Sequence, residues 1–273
     1  MLIAILLGSY PFWACAFERG NMVIYAMLFL LIGMVLRDSE EKWKREVALI
    51  CIAIAAAFKL YRAVFGLVYI VEKRWKEGIR LLVYGILLFF VPFLFFGNGI
   101  ISYFGTFTGH LGKSIYSHTS LIGNCIRLFG DTGNQIGSVV VAIWILWVLF
   151  YTLTEKKVTW KTIAMLSSLC TIILRESYLY TYVYLAIPLL FFLNECAERD
   201  YTKWKKTEYL YAVLFALVFT IPPIRRNVVG GVLIEMYFCW IAILDMISAE
   251  KISSFFVKKD RGSGTVQENT HME

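Results

Sequence analysis

Two stretches of the chain, 81–112 and 132–154, contain no Asp, Glu, Lys or Arg. Each exceeds the roughly 18 apolar residues that mark a membrane-crossing helix. The whole chain is biased the same way: 59% of its 273 residues are hydrophobic and 17% charged, against about 45–50% and 25% in a soluble domain. The chain is therefore expected to be an all-α, polytopic bundle of about eight full spans. Residues 1–250 form its membrane domain, and 251–273 a polar cytoplasmic tail too poor in apolar residues to fold. The first 17 residues lack a basic leader and a small-residue cleavage site, so they read as a retained span.

Basic residues set the orientation. They cluster at Arg37/Lys42/Lys44/Arg45, Lys73/Arg74/Lys76/Arg80, Lys156/Lys157/Lys161, Arg199/Lys203/Lys205/Lys206 and Lys251/Lys258/Lys259/Arg261. One alternating topology puts all five in the cytoplasm, as the positive-inside rule requires. The net charge of +7 is then a topology signal, and no nucleic-acid partner is implied. The chain reads as an integral plasma-membrane protein with its short basic loops and C-terminus inside. Segment 47–71 starts and finishes beside cytoplasmic clusters, so it is expected to be a short helical hairpin that only partly crosses the bilayer. Backbone that is not helical at such depth survives only when buried in protein or lining a wet cavity, which makes its turn, 59–62, a candidate site wall. On the outer side the only long connection is 97–137, and loops of that length are usually functional.

The outer face collects Arg19, Asn21, Lys59, Arg62, Lys113, Arg127, Arg175, Arg225 and Arg226 against Glu18, Asp131 and Glu176. Arginine binds phosphate through its planar fork and lysine as a point charge, so a polyprenyl phosphate or diphosphate headgroup suits this surface; side chains near the bilayer edge can instead snorkel. Lys59 follows an apolar run and is costly there unless solvated or paired. Glu235, inside the last apolar run, reads as a packing or pairing residue. His110 and His118 have no third converging ligand, so no metal site is expected. Tyr178, Tyr180, Tyr182 and Tyr184 recur at every second position, which spreads them around a helix; they read as interfacial anchors, with Tyr178 alone suited to sugar stacking. Cys15, Cys51, Cys125, Cys170, Cys196 and Cys239 are scattered and read as small buried hydrophobes. Nucleotide-binding and serine-hydrolase motifs are absent.

Three stretches carry a family resemblance: Tyr10-Pro11 with Phe17-Glu18-Arg19-Gly20-Asn21, then Ala55-Ala56-Ala57-Phe58-Lys59-Leu60-Tyr61-Arg62-Ala63-Val64, then Lys73-Arg74-Trp75-Lys76. Ser117-His118-Thr119-Ser120-Leu121 ahead of Arg127-Leu128, and the Tyr-rich span ending at Pro188, are similar in placement. In order and spacing the chain resembles glycosyltransferase family 87 of the GT-C superfamily. The resemblance implies transfer of a hexose, often mannose, from a polyprenyl-phosphate sugar to a glycan or glycolipid acceptor in the outer leaflet, without cofactor or nucleotide sugar. It implies that Arg19 and Asn21 border a lipid-facing cavity, that Lys59 contacts donor phosphate, and that Ser117 and His118 lie over the substrates; Arg62, Arg175, Arg225 and Arg226 complete the proposed binding set. Where the family pattern has Pro, this chain has Arg62. The superfamily's carboxylate base belongs to a first outer loop that the resemblance places ahead of Met1, so the base is expected from a missing N-terminal portion or a partner chain. The carboxylates that could replace it are Glu18, Asp131 and Glu176; Arg19 beside Glu18 and Arg175 beside Glu176 would make those two weak bases. A transporter, flippase or polymerase of lipid-linked saccharides is the alternative reading.

Overall fold

The computed structural model describes residues 9, 12, 16–17, 20–95, 97, 99–111, 120–171, 173, 179–198 and 206–220. All regular structure among them is helical: α1 Val23–Leu36, α2 Lys42–Phe58, a 3-10 helix Leu60–Gly66, α3 Leu67–Val71, α4 Trp75–Phe90, α5 Gly99–Leu111, α6 Leu121–Phe129, α7 Gly133–Thr154, α8 Trp160–Thr171, a 3-10 helix Leu179–Leu185, α9 Ala186–Ala197 and α10 Lys206–Thr220. The tail 251–273 and Glu235 lie outside the described residues.

The core forms around α8, whose side chains are buried from Thr162 to Thr171. Its hydroxyls remain inside because each finds an acceptor: Ser167 Oγ donates to Ile163 O at 2.8 Å and Ser168 Oγ to Met165 O at 2.6 Å, while Trp144 Nε1 of α7 donates to Ser168 Oγ at 2.9 Å. At one end of α8, Trp160 packs edge-on against Phe192 and Tyr211, tying α8, α9 and α10 together. On the other flank α1 lies against α2. A Cβ on Gly33 would stand 2.6 Å from Ile52 Cγ1 and 3.0 Å from Ala48 O, so only glycine allows these helices to approach so closely. Cys51, Cys125, Cys170 and Cys196 are all buried free thiols, as expected of small hydrophobes.

The hairpin expected at 47–71 is present in modified form. Its first arm starts earlier, at Lys42, and α2 runs 17 residues, about 25 Å. The chain then breaks at Lys59, in extended backbone (φ −156°, ψ 119°), and returns through Leu60–Gly66 and α3. Ion pairs fasten the two arms at their base. Arg37 bridges Asp38 at 2.6 Å and Glu72 at 3.2 Å, Arg74 reaches Asp38 at 2.8 Å, and Arg45 reaches Glu77 at 3.2 Å; Arg74 also pairs with Glu77 and Arg80 with Glu46. The Val158 amide donates to Glu72 at 3.3 Å, so clusters 37–45, 73–80 and 156–161 meet at one end of the bundle. At the other end the ring of Phe58 lies 6.2 Å from that of Phe29, and α1 begins about 9 Å farther along its axis. The hairpin's turn thus stops short of the start of α1.

Two details of the basic end lead to predictions. Asp38 is exposed; partial desolvation alone would raise its pKa, but the hydrogen bonds and charges of Arg37 and Arg74 outweigh it and hold the carboxyl below its ordinary 3.8. A depressed carboxylate adds stability that is present above its unfolded pKa and lost as pH falls through the folded one. Acidification below about pH 4 is therefore expected to loosen this end, seen as a falling melting temperature whose slope Asp38→Asn reduces. The second detail is Lys73, which follows α3 at φ 57°. The Lys73 amide donates to Ile70 O and the Arg74 amide to Tyr69 O, a helix-ending turn in which glycine ordinarily holds the left-handed position. Lys73→Gly is expected to stabilise the fold by about 1 kcal/mol, read from the chain's unfolding midpoint.

Three helical stretches are long and apolar enough to cross a membrane: Trp75–Phe95, Leu121–Thr154 and Tyr180–Ala197. The expected count of about eight is not reached among the described residues, where Val23–Leu36, Leu60–Val71 and Glu208–Leu217 are shorter apolar helices. The middle stretch is bent. Gly130 at φ 60° turns α6 back onto α7, leaving α7, with 22 residues, to supply about 33 Å of span. The backbones nearly touch there, since a Cβ on Gly133 would lie 2.3 Å from Cys125 O and 2.4 Å from Ile126 Cα. Gly133→Ala is therefore expected to cost about 1–3 kcal/mol by overpacking, measured as a lowered midpoint of thermal unfolding.

The connection 97–137 is also corrected. Its described part is helical, comprising α5, α6 and the start of α7, because its Gly, Ser and Thr are interspersed with apolar residues and no charge falls before Lys113. Ser120 caps α6 by accepting the Gly123 amide at 3.0 Å.

Candidate functional site

The break in the hairpin positions the site. Beyond Phe58 the chain leaves helical geometry for one residue, and Lys59 emerges at the end of the bundle opposite the ion-paired base. Its ammonium lies 5.1 Å from the ring centre of Tyr180, and Nζ stands 3.4 Å from the phenolic oxygen. Lys59 is half-buried, which leaves part of the side chain accessible.

Arg62 takes a different place from the one its sequence position suggests. It is 1% exposed, with its guanidinium carbon 5.2 Å from the Tyr61 ring centre and 4.9 Å from that of Tyr184. Nη1 donates to Ala55 O at 3.2 Å. That carbonyl belongs to the last turn of α2, where carbonyls lack an amide partner and the helix dipole favours a cation. Arg62 thus caps α2 from inside the turn. Nε has no hydrogen-bond partner among the described residues, and no carboxylate there pairs with Arg62. The Cys170 thiol of α8 lies 3.9 Å from Tyr61 O, holding the turn against the central helix.

Tyr180 and Tyr184 are the site residues the sequence reading missed. They belong to the 3-10 helix Leu179–Leu185, which supplies one ring to Lys59 and one to Arg62. Counting tyrosines at every second position on an α-helix hid this, because the segment is a 3-10 helix, in which side chains repeat every three residues. Tyr182 is buried and anchors nothing at an interface. Asn21 acts locally: its Oδ1 accepts the Val23 amide at 3.0 Å at the start of α1, just after the left-handed Gly20.

Asp131 is exposed in the short 3-10 helix Gly130–Thr132 between α6 and α7. Glu18, Arg19, Lys113, Ser117, His118, Arg175, Glu176, Tyr178, Arg225 and Arg226 lie outside the described residues. Among the described residues no group of three His, Cys, Asp or Glu side chains converges as a metal site would require.

The sequence model of glycosyltransferase family 87 matches residues 1–175, a span that includes the hairpin, Lys59 and Arg62. No curated protein and no solved structure matches the chain. GT-C superfamily membership is consistent with the family match. Since that match covers more than half of a helical, membrane-spanning chain, this protein belongs to glycosyltransferase family 87 and is a membrane glycosyltransferase.

Proposed function

We propose that this chain transfers a hexose, mannose by family resemblance, from a polyprenyl-phosphate donor to a glycan or glycolipid acceptor on the outer leaflet of the plasma membrane. The observation that carries the reading is the Lys59 turn: a half-buried lysine on a helix break, at the end of the bundle opposite the gathered basic clusters. Those clusters are then cytoplasmic, and about eight crossings over residues 1–250 put Lys59 on the outer side, with 251–273 inside.

In the reaction, an acceptor hydroxyl attacks the anomeric carbon while the bond from that carbon to the phosphate oxygen breaks. Polyprenyl phosphate leaves with the bonding electrons. Lys59 offsets the charge gathering on it, in a setting where a preplaced cation acts more strongly than in water, and Tyr180 holds the ammonium. The hydroxyl proton passes to a carboxylate, for which Glu18, Asp131 and Glu176 are this chain's candidates. Arg19, Ser117, His118, Arg175, Arg225 and Arg226 complete the substrate-binding set, with Asn21 shaping the approach from α1. Arg62 acts by holding the turn. The chemistry needs no metal or cofactor.

The test is transfer of radiolabelled hexose by membranes containing the chain, with polyprenyl-phosphate hexose and the corresponding nucleotide sugar as rival donors. Label passing to a lipid or glycan acceptor from the polyprenyl donor alone is the expected result. Transfer straight from the nucleotide sugar would overturn the donor assignment. Movement of intact lipid-linked sugar across the membrane without transfer would favour a transporter.

A further inference from the structure

The base of the hairpin carries a second pocket, of about 750 Å³, remote from Lys59. Arg45, Lys73, Arg74, Lys76 and Arg80 line it against only Asp38 and Glu77. Both carboxylates are already engaged, Asp38 by Arg37 and Arg74 and Glu77 by Arg45 and Arg74. Lys73 and Lys76 make no ion pair among the described residues. Lys73 also occupies the left-handed position that glycine fills at lower conformational cost, so the fold carries strain at a lysine whose charge it does not use. The start of α4, at Trp75, adds the positive end of a helix dipole.

Trp75 lines this pocket and also an apolar groove of about 440 Å³ along the seam between α2, the returning arm and α4. Small residues such as Ala53, Ala56, Gly78 and Gly85 hollow the groove, and no charged residue lines it. A cationic pocket opening at an interfacial tryptophan onto an uncharged channel has the two-part chemistry of a charged lipid. We propose that an anionic phospholipid binds here, its phosphate among Lys73, Lys76 and Arg45 and one acyl chain in the groove. Basic pockets at the ends of membrane helices suit such headgroups. The groove also reaches Leu60, next to the Lys59 turn, but the five cations of the adjoining pocket gather at the Trp75 end. Charge therefore orients the ligand with its head away from the transfer site.

The experiment uses the purified full chain in neutral detergent, with retention of added lipid measured by native mass spectrometry. Phosphatidylglycerol is expected to be retained at least roughly tenfold better than phosphatidylcholine. The double variant Lys73→Gln/Lys76→Gln should weaken that retention roughly 30-fold, about fivefold per lysine. Gly85→Phe should weaken it as well, since Gly85 lines the groove and a Cβ there meets nothing within 4 Å. If the double variant does not fold, Lys73→Gly removes one charge while relieving strain, and its lipid retention should still fall. Equal retention of the two phospholipids, or phosphatidylglycerol retention unchanged in folded lysine variants, would overturn the proposal. Displacement of phosphatidylglycerol by an equal amount of polyprenyl phosphate, with the lysine variants blocking the displacer, would also overturn it and assign the pocket to the donor. Loss of hexose transfer alone bears on the Lys59 site, because lipid retention is read without turnover.

Discussion

Lys59→Ala is expected to reduce transfer from the polyprenyl donor roughly 10²-fold, the usual scale for removing one preplaced group that stabilises developing charge, while leaving the unfolding midpoint close to that of the parent. The asymmetry follows from the geometry. Lys59 is half-buried, meets Tyr180 through its ammonium and sits at a helix break rather than inside a helix, so truncation empties little of the core. The decisive comparison is the loss of kcat/KM against the shift in melting temperature. Lys59→Arg should recover part of the rate because it restores the charge, whereas Lys59→Met should not. A folded Lys59→Ala protein with parental kcat/KM would remove this residue from the mechanism.

Arg62→Ala is expected to behave in the opposite way, lowering stability by about 2–4 kcal/mol through the cavity it leaves and the uncapped Ala55 carbonyl. Arg62→Met separates the two contributions. It fills much of the volume and removes a charge that has no carboxylate partner among the described residues, so part of the desolvation cost is returned. Its stability should fall by less than that of the alanine variant. If Arg62 only shapes the turn, Arg62→Met lowers kcat with little change in donor KM. A large rise in donor KM with kcat preserved would instead make Arg62 a direct donor contact. Equilibrium unfolding and donor titration together decide the matter.

What the sequence conveyed and what it withheld divide along physical lines. The membrane helices and the hairpin were legible because charge is expensive in a bilayer: the basic clusters on either side of 47–71 force the chain to turn back, and Lys59 marks where. The fate of Arg62 was not legible. Its partners are Tyr184, distant in sequence, and the carbonyl of Ala55, and whether an arginine points outward or caps the preceding helix depends on which neighbours fill the space. The connection 97–137 was read as irregular because Gly, Ser and Thr are frequent there, yet local helical hydrogen bonding prevails once the segment lies against apolar neighbours. The sequence also carried no sign that Leu121–Thr154 is one long apolar helical stretch that reverses at Gly130. Tyr180 and Tyr184 were obscured by the intervening Tyr182, which faces the core.

The ion pairs that join Arg37, Asp38, Glu72 and Arg74 clamp the hairpin at its root. The tip is Lys59, a single extended residue between two helical segments, and it is held in turn by the Tyr180 ring and by the neighbouring contact of Cys170 with Tyr61 O. A beam supported at both ends bends little at either, so the lysine keeps its place relative to the basic end. Salt bridges far from Lys59 thus help to fix where its ammonium stands.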